Sequence, residues 1–282
     1  MLPNLRNAIL RQTGLSEVCV QERGHASFGI GLIDGMVNVA HPAFQGYQIS
    51  RWGESQSARA MEHATFNASI LVGHHTDQLM GRIMGLCPGC ALVNYGVVTD
   101  EMLSGTLHPI IVARALATAV QHAVNAGCRI ILLGIEIHLP ESIVWNALRE
   151  SIRTASANGS LVIIPAGNRN RYAEPESCCW PEALVVSSCT WRGERSLFSP
   201  FSSRNNSSCL APGEFVPGAG ANSDYSVLSG TSFAAAIVAG ALSLGASLFP
   251  NSSLFDLASI LCPPPHRILN GTSLFSSRYT FS

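Results

Sequence analysis

A chain of 282 residues and 30.0 kDa is long enough to bury a full single-domain core. It is 47% hydrophobic and 12% charged with a net charge of −1, which excludes a disordered chain, and with no basic cluster it disfavours a nucleic-acid partner. The longest apolar stretches, around 237–249 and 129–139, are broken by Gly, Ser, Arg or Glu and do not read as membrane spans, and Met1–Arg6 lacks the basic-then-apolar pattern of a secretory signal, so a cytoplasmic location is expected.

In chain order, residues 1–27 read as an extension holding one helix over 3–14, and 28–282 as one α/β domain. Phe28–Ile33 is a short apolar run and a first strand, 28–33, ending in Asp34-Gly35. A carboxylate at the carboxyl end of a buried strand lies where open α/β sheets place their chemistry. A plain Asp-Gly turn is the competing reading. Next, Gly73-His74-His75-Thr76-Asp77 opens a helix-like segment, 75–84, that stops at Gly85. Further strands are predicted over 91–98, 129–135, 161–164 and 183–188, and further helices over 107–126, 141–158, 232–248 and 252–261. Asn125-Ala126-Gly127 and Asn158-Gly159 carry C-terminal glycine signals, and Pro140 suits a helix start. Such alternation implies a mostly parallel sheet flanked by helices on both faces. Residues 191–227, rich in Ser, Asn, Gly and Pro, read as a long surface loop.

Two later motifs carry chemistry. Leu161–Asn168 is a β-rich run ending in an asparagine, whose amide is a good oxyanion donor. Gly230-Thr231-Ser232-Phe233-Ala234 opens a long segment of small residues without proline, read as a buried helix. A serine in its first turn sits beside unpaired backbone N–H groups and the positive end of the helix dipole, which suits a nucleophile whose reaction generates an oxyanion. A simple Ser/Thr N-cap is the alternative for this motif in isolation.

Asp34, the His74-His75 block, Asn168 and Ser232 stand in the order and approximate spacing of the subtilisin-like serine peptidases, and the chain resembles that family over residues 28–262. Gly85–Leu92 and Leu210-Ala211-Pro212-Gly213 look like further blocks of it. Within the family, Leu2–Leu5, Asp34–Gly46, Glu174–Ala183 and Leu228–Phe233 resemble the cyanobactin leader-processing proteases. The resemblance implies a three-layer α/β fold and a serine endopeptidase that trims a ribosomally made precursor peptide. It implies Ser232 as nucleophile, His75 (or His74) as base, Asp34 orienting the imidazole and Asn168 holding the oxyanion. A sister subgroup of macrocyclases carries a helical insertion near the catalytic histidine, for which the sequence leaves no room. A noncatalytic binding protein and a ligase on the same residues remain alternatives.

Three departures from the family stand out. Where it has His-Gly-Thr-His, this chain has His74-His75-Thr76-Asp77, and His75 is preferred because it keeps a glycine six residues on, at Gly81. The family's proline four residues after the serine is Ala236. Its substrate-binding Ser-x-Gly strand is Gly134-Ile135-Glu136, so that Glu136 either favours a basic residue, narrows the cleft or lies in water at the rim. The remaining histidines, His63 among them, lack metal spacing and read as structural or surface residues. No cofactor is expected, and no acidic cluster marks a calcium site. Nine cysteines without a signal peptide argue against a full disulfide framework. Cys87-Pro88-Gly89-Cys90 reads as a turn with two thiols, with a disulfide between them as the alternative, and Cys178-Cys179 as partners for Cys209 or Cys189.

Overall fold

The computed structural model describes residues 5–55, 57–77, 81–137, 142–168, 180–200, 208–220, 222–264 and 268–276. Two short helices, α1 (Leu5–Gln12) and α2 (Leu15–Gln21), precede the first strand, β1 (Gly29–Asp34). Then come β2 (Ile49–Gly53), α3 (Ala58–Val72), and a hairpin of β3 (His74–Asp77) and β4 (Gly81–Met84). The middle of the chain alternates: β5 (Ala91–Gly96), α4 (Asp100–Ser104), α5 (Pro109–Asn125), β6 (Cys128–Leu133), α6 (Asn146–Ala157), β7 (Leu161–Pro165) and β8 (Ala183–Cys189). The last third holds β9 (Ser208–Pro212), the hairpin β10 (Val216–Ala219) and β11 (Tyr225–Leu228), then α7 (Thr231–Leu248), α8 (Leu254–Leu261) and α9 (Ser273–Ser276).

Seven strands form one parallel sheet in the order β2-β5-β1-β6-β7-β8-β9. Its central strands are buried on both faces, as a parallel sheet covered by helices requires. One face packs α3, α7 and α8 into a core with Leu32, Ile130, Ile163 and Val186. The other packs α5 and α6 against Ile33, Ile131, Leu133 and Val162. The chain leaves β1 for one side of the sheet, through β2 and β5, and returns to its other side at β6. That reversal is a topological switch point, and such sheets bind ligands outside the carboxyl ends of the strands there.

Four expectations need correction. The helix predicted over 75–84 is the β3–β4 hairpin, with His75 opposite Ile83, and the helix of this region lies earlier, at α3. The stretch 191–227 is not one surface loop: it contains the buried edge strand β9 and the hairpin β10–β11. The extension holds two helices, joined through Gly14 in the left-handed region, and its Ile9, Leu10, Leu15 and Val18 belong to the same core as α7. The helix expected over 141–158 opens with a 3-10 turn, Ser142–Trp145; Pro140, expected to start it, lies outside the described residues.

Helix α7 is long and apolar enough to cross a membrane, with a mean hydropathy of 1.7, but 89% of it is buried inside the protein. Its alanines and glycines let neighbours approach: a Cβ at Gly240 would lie 2.8 Å from Leu86. Cys209 pairs with Cys262, tying β9 to the end of α8, so Cys209 is not open to Cys178 or Cys179, which lie outside the described residues. Cys189 is a buried free thiol. Cys87 and Cys90 are buried free thiols in a turn. The hydrogen bond they share, with burial, raises the Cys87 pKa, and the same bond lowers that of Cys90.

Candidate active site

Asp34 ends β1 at the switch point and is fully buried. A buried carboxylate must be paired or hydrogen-bonded, and four contacts serve it. The Gly35 N–H donates to Oδ1 at 2.8 Å. The Asn67 Nδ2 donates to Oδ2 at 2.9 Å. The His63 Nδ1 lies 3.0 Å from Oδ1 and 2.9 Å from Oδ2. His63 and Asn67 are one helical turn apart on α3, so one face of that helix presents both groups to the carboxylate. The Asn67 amide is turned by this demand: Nδ2 faces Asp34, and the buried Oδ1 has no hydrogen-bond partner among the described residues.

Two glycines permit this closeness. At Gly35 a Cβ would sit 2.2 Å from the Ala60 carbonyl oxygen, so the missing side chain lets the first turn of α3 pass over the end of β1. At Gly134 a Cβ would sit 2.1 Å from Asp34 Oδ2. The family's serine at that position has no room beside the carboxylate as it stands.

The histidine beside Asp34 is therefore His63, and the role expected of His75 has no helix to support it. Backbone pairing puts His75 in a hairpin strand, while the neighbouring His74 Nε2 meets the Gln45 carbonyl. The sequence does carry a signal for His63. His63-Ala64-Thr65 is the family's His-Gly-Thr with alanine for glycine, and the doubled histidine followed by Thr76 draws the alignment downstream.

Burial disfavours the His63 imidazolium, but the Asp34 carboxylate, their hydrogen bond and the nearby Glu62 charge outweigh it, and the His63 pKa is raised above the ordinary 6.5. The ring keeps 21% of its surface exposed, on the wall of an open cleft of about 530 Å³. Ser232, Asn168, Gly134, Ile135 and Glu136 line the same cleft, and Met102, Leu103, Leu107, Val112 and Trp145 contribute to its apolar lining. Ser232, Asn168, the 134–136 segment and His63 thus share one cleft, and Asp34 lies behind His63.

Ser232 is the second residue of α7, 5% exposed. Asn168 lies just past β7, next to β6 in the sheet. Its Oδ1 accepts the Thr231 N–H at 2.9 Å and the Thr231 hydroxyl at 3.3 Å. A backbone N–H only donates, so Oδ1 is fixed as the acceptor and Nδ2 becomes the donor end of the amide. The Thr231 hydroxyl also accepts the Gly167 N–H at 3.1 Å. On the other side, the Asn168 N–H donates to Glu136 Oε2 at 2.5 Å.

Comparison with known proteins identifies the family. A model of the subtilase family of serine peptidases matches residues 25–261. Thermitase of Thermoactinomyces vulgaris is 28% identical over 222 residues, covering 77% of this chain and 74% of thermitase. The major intracellular serine protease of Bacillus subtilis is 31% identical over 189 residues, covering 64% of this chain and 54% of its own. Among solved structures, the prenylagaramide maturation protease PagA matches with a TM-score of 0.80 at 26% identity, covering 93% of this chain and 98% of PagA. The chain belongs to the subtilase family and is a subtilisin-like serine endopeptidase.

Proposed function

We propose that Ser232, His63 and Asp34 are the catalytic triad of a peptidase that trims a precursor peptide. The observation that carries this is the double approach of His63 Nδ1 to the Asp34 carboxylate, on a helix whose cleft-facing side shares one cavity with Ser232. A carboxylate accepts only, so Nδ1 holds its proton toward Asp34 and Nε2 is left as the basic nitrogen. His63 Nε2 takes the Ser232 hydroxyl proton as Oγ attacks the scissile carbonyl. The resulting oxyanion is held by Asn168 Nδ2 and the N–H at the start of α7, where one donor contributes about 3 kcal/mol. His63 then gives the proton to the leaving amine, and water, deprotonated by the same nitrogen, releases the acyl group.

The precursor-peptide substrate draws support from the match to PagA, a maturation protease, over nearly the whole chain. The segment after α3 favours hydrolysis over macrocyclisation: among the described residues between the end of that helix and Cys87, a short hairpin and no further helix is found. The noncatalytic alternative rests on His75-Thr76-Asp77 and on Glu136; the first motive lapses once His63 takes the base position, and the second is weakened by the bond that Glu136 accepts from the Asn168 N–H.

The test is Ser232→Ala. A fluorophosphonate should label the wild-type protein at Ser232 and leave the variant unmarked. Mass spectrometry of a precursor-peptide digest should show linear fragments with the wild type only. Cleavage by the variant at the wild-type rate would refute the nucleophile, and cyclic products would move the reading to a ligase.

A further inference from the structure

We infer that Glu136 is a positioning residue of the oxyanion site, acting through Asn168. The inference rests on the reading of Asn168 as oxyanion donor. The family carries glycine where Glu136 stands, so no side chain is expected there. In this chain the carboxylate reaches from the segment after β6 to the segment after β7, and its Oε2 accepts the Asn168 N–H at 2.5 Å. Such a bond to an ionised acceptor is short and roughly twice as strong as a neutral one.

Asn168 is consequently held at both ends. Glu136 fixes its backbone N–H, and the Thr231 N–H and hydroxyl fix its Oδ1. Thr231 is the residue before Ser232, so the amide is registered to the nucleophile. Asn168 itself is exposed, three residues past the buried end of β7, and the Glu136 tie fixes its backbone where packing does not. Oxyanion stabilisation depends on donors already in place before charge develops, and a displacement of a fraction of an ångström weakens it. Glu136 thus acts on the transition state rather than on substrate binding.

A double-mutant cycle on the full chain tests this, read as kcat and KM on one synthetic peptide. Glu136→Ala should lower kcat about tenfold with KM within about twofold. Glu136→Gln, which keeps an acceptor oxygen at the same reach, should recover most of that loss. In an Asn168→Ala background, Glu136→Ala should cost nothing further, because the amide it positions is gone. An unchanged kcat in Glu136→Ala, a loss confined to KM, or the same loss in both backgrounds would overturn the role. Thermal melting of each variant identifies a folding defect, in which case the Glu136→Gln arm in both backgrounds decides. Wild-type protein that fails to label with a fluorophosphonate would instead sink the catalytic reading itself.

Discussion

Helices α7 and α3 carry the two halves of the site by opposite means. Ser232 rides on a helix buried almost end to end, whose small residues let the sheet, α8 and Leu86 close around it. His63 rides on a helix whose first turn is exposed except at Ala60 and whose unbroken buried run begins only at Ala64. The proposed nucleophile is thus fixed by packing along the whole of α7. The proposed base is fixed by polar contacts at one carboxylate, Asp34, and by the glycine at 35 that lets α3 approach. A buried apolar helix tolerates little displacement, whereas a polar cluster holds only while every partner is present.

The largest expected effect separates α3 from the hairpin after it. His63→Ala should lower kcat by a factor on the order of 10⁴ to 10⁶, the loss seen when a triad member is removed. His75→Ala should leave kcat within a few-fold of wild type. Peptide turnover and fluorophosphonate labelling of both variants check this. The reverse pattern would return the base to the hairpin and break the contrast between the two helices.

That same contrast explains what the sequence makes legible. The run Ala234–Leu248 advertises α7 through composition alone, and β1, β5, β6, β7 and β8 are apolar runs of strand length, found within a few residues of their predicted bounds. Helix α3 has no such signature. Arg59, Glu62, His63 and Asn67 interrupt its apolar face, and the first three of them line the cleft rather than the core. Consistency between local pattern and fold fails at functional positions for this reason. Strand β2 is hidden in the sequence because it is an exposed edge with Arg51 and Trp52. Strand β9 is hidden because its buried residues are Ser208, Cys209 and Pro212 as well as Leu210 and Ala211. Asp34, Ser232 and Asn168 are legible since each ends or starts an apolar run. The pairing of Cys209 with Cys262 is not, because it joins a strand and a helix end that only the tertiary fold brings together.

The second effect concerns the joint between the helices. The Phe66 ring on α3 lies 4.5 Å from that of Phe233, the residue after Ser232. Phe66 is fully buried, and Gly218 leaves the space it fills, since a Cβ there would come within 2.7 Å of the ring. Phe66→Ala should lower unfolding stability by about 3–5 kcal/mol. Phe66→Leu should lose less stability, yet reduce kcat more than KM, because the ring sets the spacing of His63 and Ser232. Denaturant melts and steady-state kinetics report the two quantities. A Phe66→Leu enzyme with wild-type kcat would show that polar contacts alone register the base.

The smallest effect is a displacement along the pH axis, and it tests the polar half directly. In the proposed triad His63 must be neutral to accept the serine proton, and Asp34 raises its pKa above 6.5 despite burial. The acid limb of kcat/KM should therefore have its midpoint above pH 6.5, the ordinary histidine value. The stability linkage has the opposite sign. A group whose pKa is raised on folding stabilises the protein fully below its unfolded pKa, and loses that contribution as pH rises through the folded one. Activity should thus grow over the same interval in which the His63–Asp34 pair ceases to add stability. The difference in melting temperature between wild type and His63→Ala should be widest below pH 6.5 and shrink above it, while kcat/KM of the wild type climbs. An acid limb at or below 6.5, or a stability difference that widens with pH, would mean that burial rather than Asp34 governs His63. The two-oxygen contact seen at 2.9 and 3.0 Å would then be a contact without the electrostatic weight assigned to it.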